Sequence, residues 1–82
     1  MCDGDLLKPK GTYAKYYFER FQGKDEYCYQ YYILDSCKVN DIFLLLKFSL
    51  KCDMFIVYNI TRHENCYLSK KMILDYDVIQ HD

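Results

Sequence analysis

IFLLLKFSLKCDMFIVYNIT, residues 42 to 61, is the most apolar stretch of an 82-residue chain. Taken by twos, Ile42, Leu44, Leu46, Phe48 and Leu50 fall on one side of an extended backbone. Phe43, Leu45, Lys47, Ser49 and Lys51 fall on the other. A period of two marks a strand with one buried face. The next run repeats it, with Met54, Ile56, Tyr58 and Ile60 against Phe55, Val57, Asn59 and Thr61. Lys51, Cys52 and Asp53 between the two runs suit a three-residue hairpin loop. Pairing Leu50 with Met54 sets Phe48 opposite Ile56, Leu46 opposite Tyr58 and Leu44 opposite Ile60. Both apolar sets then share one face, so register and burial agree. A helix over residues 42–51 competes, with Asp41 as N-cap, lysines in the last turn, and Leu45, Leu46 and Leu50 on its buried side. The strand is preferred, and the second run is the firmer of the two because Ile, Val, Tyr and Thr favour a pleated surface.

Upstream, residues 12–34 read TYAKYYFERFQGKDEYCYQYYIL. Gln22-Gly23-Lys24-Asp25 has glycine at the first central position of a type II′ turn. Folding there pairs Phe18 with Tyr29, Tyr16 with Tyr31 and Ala14 with Ile33, an aromatic and apolar face for the core. The opposite face collects Lys15, Tyr17, Glu19, Cys28, Gln30 and Tyr32, a mixed surface open to water or a partner. A helix over 12–22 is the rival, capped by Thr12 and ended by Gly23, but its aromatics and threonine are weak helix formers.

The remaining segments frame these two hairpins. Residues 1–11, with Pro9 and several charges, read as a flexible leader or a first edge, Leu6 and Leu7 docking on the core. Residues 35–41, DSCKVND, form a polar connector too short to separate domains, so 12–82 is taken as one small β-rich domain. A turn is expected at 62–65, the start of another strand at 66–68, and a closing strand over 71–79 that directs Met72, Leu74, Tyr76 and Val78 to one side. The fold class expected is mainly β: a small antiparallel sheet or partly closed barrel of two hairpins plus a C-terminal strand. There is room for one short helix, and an α+β arrangement is the alternative.

Composition narrows the functional classes. Eleven basic and twelve acidic residues give a net charge of −1, so no global field points to nucleic acid or an anionic membrane. Lys47 and Lys51 interrupt the only apolar run that approaches a membrane span. The opening MCDGDLLKPKG has acids where a signal peptide needs bases and an apolar core, and it lacks the myristoylation pattern. Five cysteines without a secretory signal are then expected as reduced thiols in the cytoplasm or in the nucleus of a host cell. The triplet Asn59-Ile60-Thr61 is read as solvent-facing strand residues. Alanine and proline occur once each, arginine twice and glycine three times, a scarcity of GC-rich codons that suggests an AT-rich genome such as those of many viruses and phages.

No stretch carries chemistry at the spacing a mechanism requires. Cys28, Cys37, Cys52, His63 and Cys66 lack the paired knuckles of a zinc site, and buried small thiols explain them better. Cys66 with His63 and an aspartate is the one conceivable nucleophilic set, yet residues three apart across a turn diverge. There is no nucleophile elbow, phosphate loop or zinc-protease helix, and no cofactor motif, so the chain is not read as an enzyme. Asp75 and Asp77 read as a solvated strand face.

Ten tyrosines invite two binding classes. Single-stranded nucleic acid could stack on the tyrosines of residues 13–32 beside Lys15 and Arg20, opposed by Glu19, Asp25 and Glu26 and by the neutral total. Protein binding is preferred, because tyrosine offers a rigid surface with a polar tip. The expected contact residues are Lys15, Tyr17, Glu19, Gln30 and Tyr32. A free sheet edge could also add a strand from a partner or from a second copy. The expectation is a small intracellular interaction module, an accessory product of a virus or phage that binds a host protein and inhibits or modulates it.

Overall fold

The computed structural model describes residues 2–11, 14–22, 29–38 and 40–81. Seven strands form one antiparallel sheet: β1 (Leu6–Pro9), β2 (Lys15–Gln22), β3 (Tyr29–Ser36), β4 (Phe43–Ser49), β5 (Met54–Asn59), β6 (Glu64–Ser69) and β7 (Tyr76–Gln80). Their spatial order is β3-β2-β6-β5-β4-β1-β7, with β3 and β7 at the edges and no closing ladder. The mainly β expectation holds, and residues 15–22 and 43–49 are strands rather than helices. Among the described residues the only helical element is a 3₁₀ turn at Met72–Asp75, which replaces the first half of the expected closing strand and leaves Leu74 exposed.

β4, β5 and β6 make a meander joined by two four-residue loops, since Ser49 pairs with Met54 and Asn59 with Glu64. Each loop ends in a residue with positive φ, Asp53 at 56° and His63 at 55°, side-chain types that tolerate the left-handed region. The four-residue loop corrects the expected register. Met54 faces Ser49 instead of Leu50, and a one-residue slip exchanges the faces of a strand. The slip turns β5 over, so Val57 is fully buried and Ile60 exposed, while Leu50 stands 89% exposed at the loop. A β-bulge between Leu45 and Lys47 makes the second adjustment. It turns residues 43–45 over as well, so Phe43 and Leu45 are fully buried and Leu46 is exposed. Phe48 keeps the inner face opposite Phe55, their rings 4.9 Å apart, and Lys47 stays outside. β6 selects this arrangement: Val57 lies opposite Cys66 and Phe55 opposite Leu68, so the apolar residues of three strands meet on one side.

The first hairpin also pairs out of the expected register, Phe18 with Ile33 and Tyr16 with Asp35. That shift is even, so the faces are kept: Ala14 and Tyr16 are fully buried and Phe18 packs against them. The expected turn at residues 22–25 lies outside the described residues. Nor are residues 6–9 a leader or an edge. β1 lies between β4 and β7, Leu7 is fully buried, and the ladder extends upstream through Gly4 N–H to Leu45 O (2.7 Å) and Leu45 N–H to Asp5 O (2.9 Å).

The sheet curls around its inner face, and aromatic rings span the enclosed core. Tyr16 on β2 meets Phe43 on β4 edge to face at 5.8 Å, and Phe43 meets Tyr76 on β7 at 5.3 Å. Leu7, Leu45, Val57, Cys66, Leu68 and Ile73 fill the space between them. At one end of this core Arg62 donates to the Tyr16 hydroxyl (2.6 Å) and lies 3.3 Å from Asp41 Oδ2, while Tyr16 donates to Glu64 (3.1 Å). The core thus ends in a charge-assisted network rather than an open mouth.

Candidate interaction face

The sheet has a second face, and the register of β2, β3 and β6 decides what it carries. Lys15, Tyr17 and Glu19 alternate outward along β2, with Leu34 and Tyr32 paired against Tyr17 and Glu19. Tyr67 of β6 lies opposite Tyr17, and Ile56 of β5 opposite Tyr67. Four of the five expected contact residues, Lys15, Tyr17, Glu19 and Tyr32, therefore share one surface. Gln30 belongs to the same ladder, paired with Phe21.

Two shallow clefts interrupt this surface. The first, of about 290 Å³, is lined by Lys15, Tyr17, Leu34, Ser69, Lys71, Met72 and Asp75. The second, of about 330 Å³, is lined by Glu19, Tyr32, Ser49, Lys51, Cys52, Ile56 and Tyr67. Each sets a tyrosine of the first hairpin beside apolar side chains, Leu34 and Met72 in the first and Ile56 in the second, a combination that suits a side chain arriving from outside. Tyr67 divides them. Its hydroxyl donates to Glu19 and its ring receives Tyr32 edge to face at 5.2 Å. Burial and the Glu19 carboxylate hold the Tyr67 phenol well above the usual tyrosine range, so it remains a donor. Tyr32, expected to have no internal task, leans on Tyr67 yet remains 42% exposed.

The face is also electrostatically distinct from the chain as a whole. Lys15, Lys47, Lys51 and Lys71 stand exposed on or beside it, and none forms an ion pair among the described residues. Among the described residues, the carboxylates on or beside it are Glu19, which accepts from Tyr67, Asp75, and Asp53, which pairs with Lys70. Acidic partners of the core network, Asp35, Asp41 and Glu64, gather around Arg62 and Tyr16 instead. The described part of this surface thus carries more lysines than carboxylates beside its tyrosines.

Sequence reasoning missed half of this surface. Tyr67, Lys51, Cys52, Ile56 and Met72 reach it from strands and turns distant in the chain, and only the β2–β6 pairing brings them beside the first hairpin. The other buried tyrosines have tasks inside. Tyr76 donates to the Lys15 carbonyl (2.8 Å), so its oxygen is left to accept from the buried Cys37 thiol.

The cysteine and histidine candidates are dispersed. Cys66 is buried and its thiol turns to the Glu64 carbonyl, whereas His63 is exposed with Nδ1 3.4 Å from the Tyr58 hydroxyl. Burial, reinforced by the Glu64 charge, raises the Cys66 thiol far above its ordinary range. Among the described residues, no three His, Cys, Asp or Glu side chains converge to hold a metal ion. No helix among the described residues is long and apolar enough to cross a membrane. Compared with protein-family models, with curated proteins and with solved structures, the chain matches none.

Proposed function

We propose that this protein is a small interaction module that docks a protein partner on the outer face of β2, β3 and β6, and so inhibits or modulates that partner. The observation that supports this reading is the pair of clefts on one exposed surface, each with a tyrosine of the first hairpin in its wall. Tyrosine and lysine together favour an acidic segment carrying bulky side chains, its charges meeting Lys15, Lys51 and Lys71 and its side chains entering the clefts. The unpaired edge of β3 lies beside this face and is open to an added strand, from a partner or from a second copy. The module acts in the cytoplasm or nucleus of a host cell, where its cysteines stay reduced, as an accessory product of a virus or phage with an AT-rich genome.

A second reading, stacking of single-stranded nucleic acid, is favoured by the same grouping of Tyr17, Tyr32 and the unpaired lysines. A displayed library of random peptides panned on the immobilised protein, run beside fluorescence anisotropy with labelled single-stranded oligonucleotides, separates the two. Protein docking predicts enrichment of acidic peptides with bulky apolar residues, lost in Tyr17→Ala and Lys15→Glu. Salt-sensitive oligonucleotide binding with no peptide enrichment would reverse the order.

A further inference from the structure

The backbone of β3 carries more information than its position at the edge. Cys37 N–H donates to Ala14 O at 2.8 Å, and the β2–β3 ladder runs from there without a bulge. In an antiparallel ladder, residues exchanging bonds alternate with residues whose N–H and C=O point away. Residues 35, 33, 31 and 29 therefore bond β2, and Gln30, Tyr32, Leu34 and Ser36 direct their backbone groups to the open side. Ser36 confirms the alternation, because its N–H is taken by the Asp35 carboxylate at 2.8 Å. Among the described residues, three have backbone donors and acceptors on the open side with no partner: Gln30, Tyr32 and Leu34.

The two edges are treated differently. β7 is five residues long, carries the exposed Asp77, and meets β1 through a register shift, all devices that blunt an edge. β3 is eight residues long, pairs without irregularity, and reads YQYYILDS, with no lysine, proline or glycine and its one charge at the far end. Tyr32 and Leu34 stand exposed along it. An edge of this kind is a template for another strand.

We infer that β3 pairs antiparallel with β3 of a second copy, about a two-fold axis at Tyr32. Among symmetric registers, this one sets Tyr32 opposite Tyr32 and Leu34 opposite Gln30 of the partner, and uses all three free residues of each strand. Centring on Ile33 would require the Ser36 N–H that Asp35 occupies. Centring on Tyr31 would leave Leu34 facing residue 28 beyond the strand. An antiparallel pair of identical strands is self-complementary, so the contact closes as a dimer. Opposed residues project to the same side, which brings the two outer faces together with their clefts flanking the axis. The inference rests on the proposed docking face only in assigning the dimer a double binding surface; the pairing itself is tested on the pure protein.

Three pairs of backbone bonds make a small interface, so association is read by sedimentation across a wide concentration range. Wild type is expected to shift from monomer to dimer, and Leu34→Pro to remain monomeric with an unchanged fold, because the lost N–H belongs to the open side. With Cys2, Cys28 and Cys52 changed to Ser, oxidation is expected to couple Tyr32→Cys to itself, since facing Cα atoms lie about 5.5 Å apart. Leu34→Cys, opposite Gln30, is expected to remain uncoupled. A wild type that stays monomeric, a Leu34→Pro that still dimerises, or equal coupling at both positions overturns the inference. Should Leu34→Pro lose its fold, the cross-link alone decides. A monomer that still selects peptides through Tyr17 would sink the edge pairing and leave the docking face intact. Protection of the β3 amides only on adding such a peptide would assign the edge to the partner instead.

Discussion

Tyr76 on one edge strand donates a hydrogen bond of 2.8 Å to the carbonyl of Lys15, at the start of the strand beside the opposite edge. Among the described residues no ladder joins these parts of the sheet, so this side-chain bond, with the Cys37 thiol on the same oxygen, tethers the two ends of the curl. Tyr76→Phe keeps the ring against Phe43 and removes the bridge. A carbonyl and a buried thiol then lose their partner, at a cost of about 1–3 kcal/mol. A urea titration is expected to show a lower midpoint, with the amides of β7 and residues 14–16 losing exchange protection first. An unchanged midpoint would mean that the tether contributes nothing.

Arg62 organises the other polar feature of the core. Its Nη2 sits 3.3 Å from Asp41, which is almost fully buried and also accepts the Lys38 N–H at 2.9 Å, and its Nη1 donates to Tyr16. Arg62→Met keeps the aliphatic stem but strands the Asp41 carboxylate in the interior. Breaking a largely buried pair by removing one partner is expected to cost about 2–4 kcal/mol, a large share of the stability of a domain this size. Arg62→Met combined with Asp41→Asn is expected to recover part of the loss, because no buried charge remains. A double variant as unstable as the single one would locate the defect in packing instead.

Which side chains face inward was legible in one hairpin and not in the other, and the reason is parity. In the first hairpin the expected partner of Phe18 was Tyr29 and the observed partner is Ile33, an even displacement that leaves Tyr16 and Phe18 inside and Tyr17 and Tyr32 outside. In the central hairpin Met54 moved from Leu50 to Ser49, an odd displacement that turned β5 over and exchanged Ile60 for Val57 in the core. The one-residue bulge after Leu45 turned residues 43–45 over in the same way, exchanging Leu46 for Phe43 and Leu45. Apolar residues on both faces of 42–46 made the two registers equally good locally. The choice came from β6, whose Cys66 and Leu68 had to meet Val57 and Phe55. Tyr67 and Lys51 joined the candidate face through the same non-local pairings, which no spacing in the chain announces.

The buried thiols and phenols set the response to alkali. Burial pushes the Cys37 thiol up from 9.0 to about 11, and the thiol of Cys66 and the phenols of Tyr16, Tyr67 and Tyr76 are raised further. Above pH 9 the unfolded chain releases these protons while the folded protein retains them. The unfolded state then binds fewer protons, and stability falls as pH rises. Thermal unfolding is expected to be flat with respect to these groups below pH 9, with Tm descending progressively from pH 9 through 11. Cys37→Ala should make the decline shallower over that interval. A Tm that holds to pH 11 would show that these groups meet water in the folded state.

The bulge at Leu46 offers the sharpest test of the sheet. Leu45 and Lys47 are opposite Val57 and Ile56 respectively, so Leu46 is the residue without a partner, and it stands 41% exposed. Deleting Leu46 joins an inward Leu45 to an outward Lys47 and an inward Phe48, which is the alternation of a regular strand. The shortened protein is therefore expected to fold with every face retained, at a cost of roughly 1 kcal/mol or less, within the range of mild substitutions. Deleting Val57 from the unbulged β5 instead turns Tyr58 inward and Asn59 outward and abolishes the match to Cys66. That variant is expected to lose cooperative unfolding altogether. Circular dichroism with urea titration distinguishes the two, and a Leu46 deletion as damaging as the Val57 deletion would refute the bulge and the register on both sides of it.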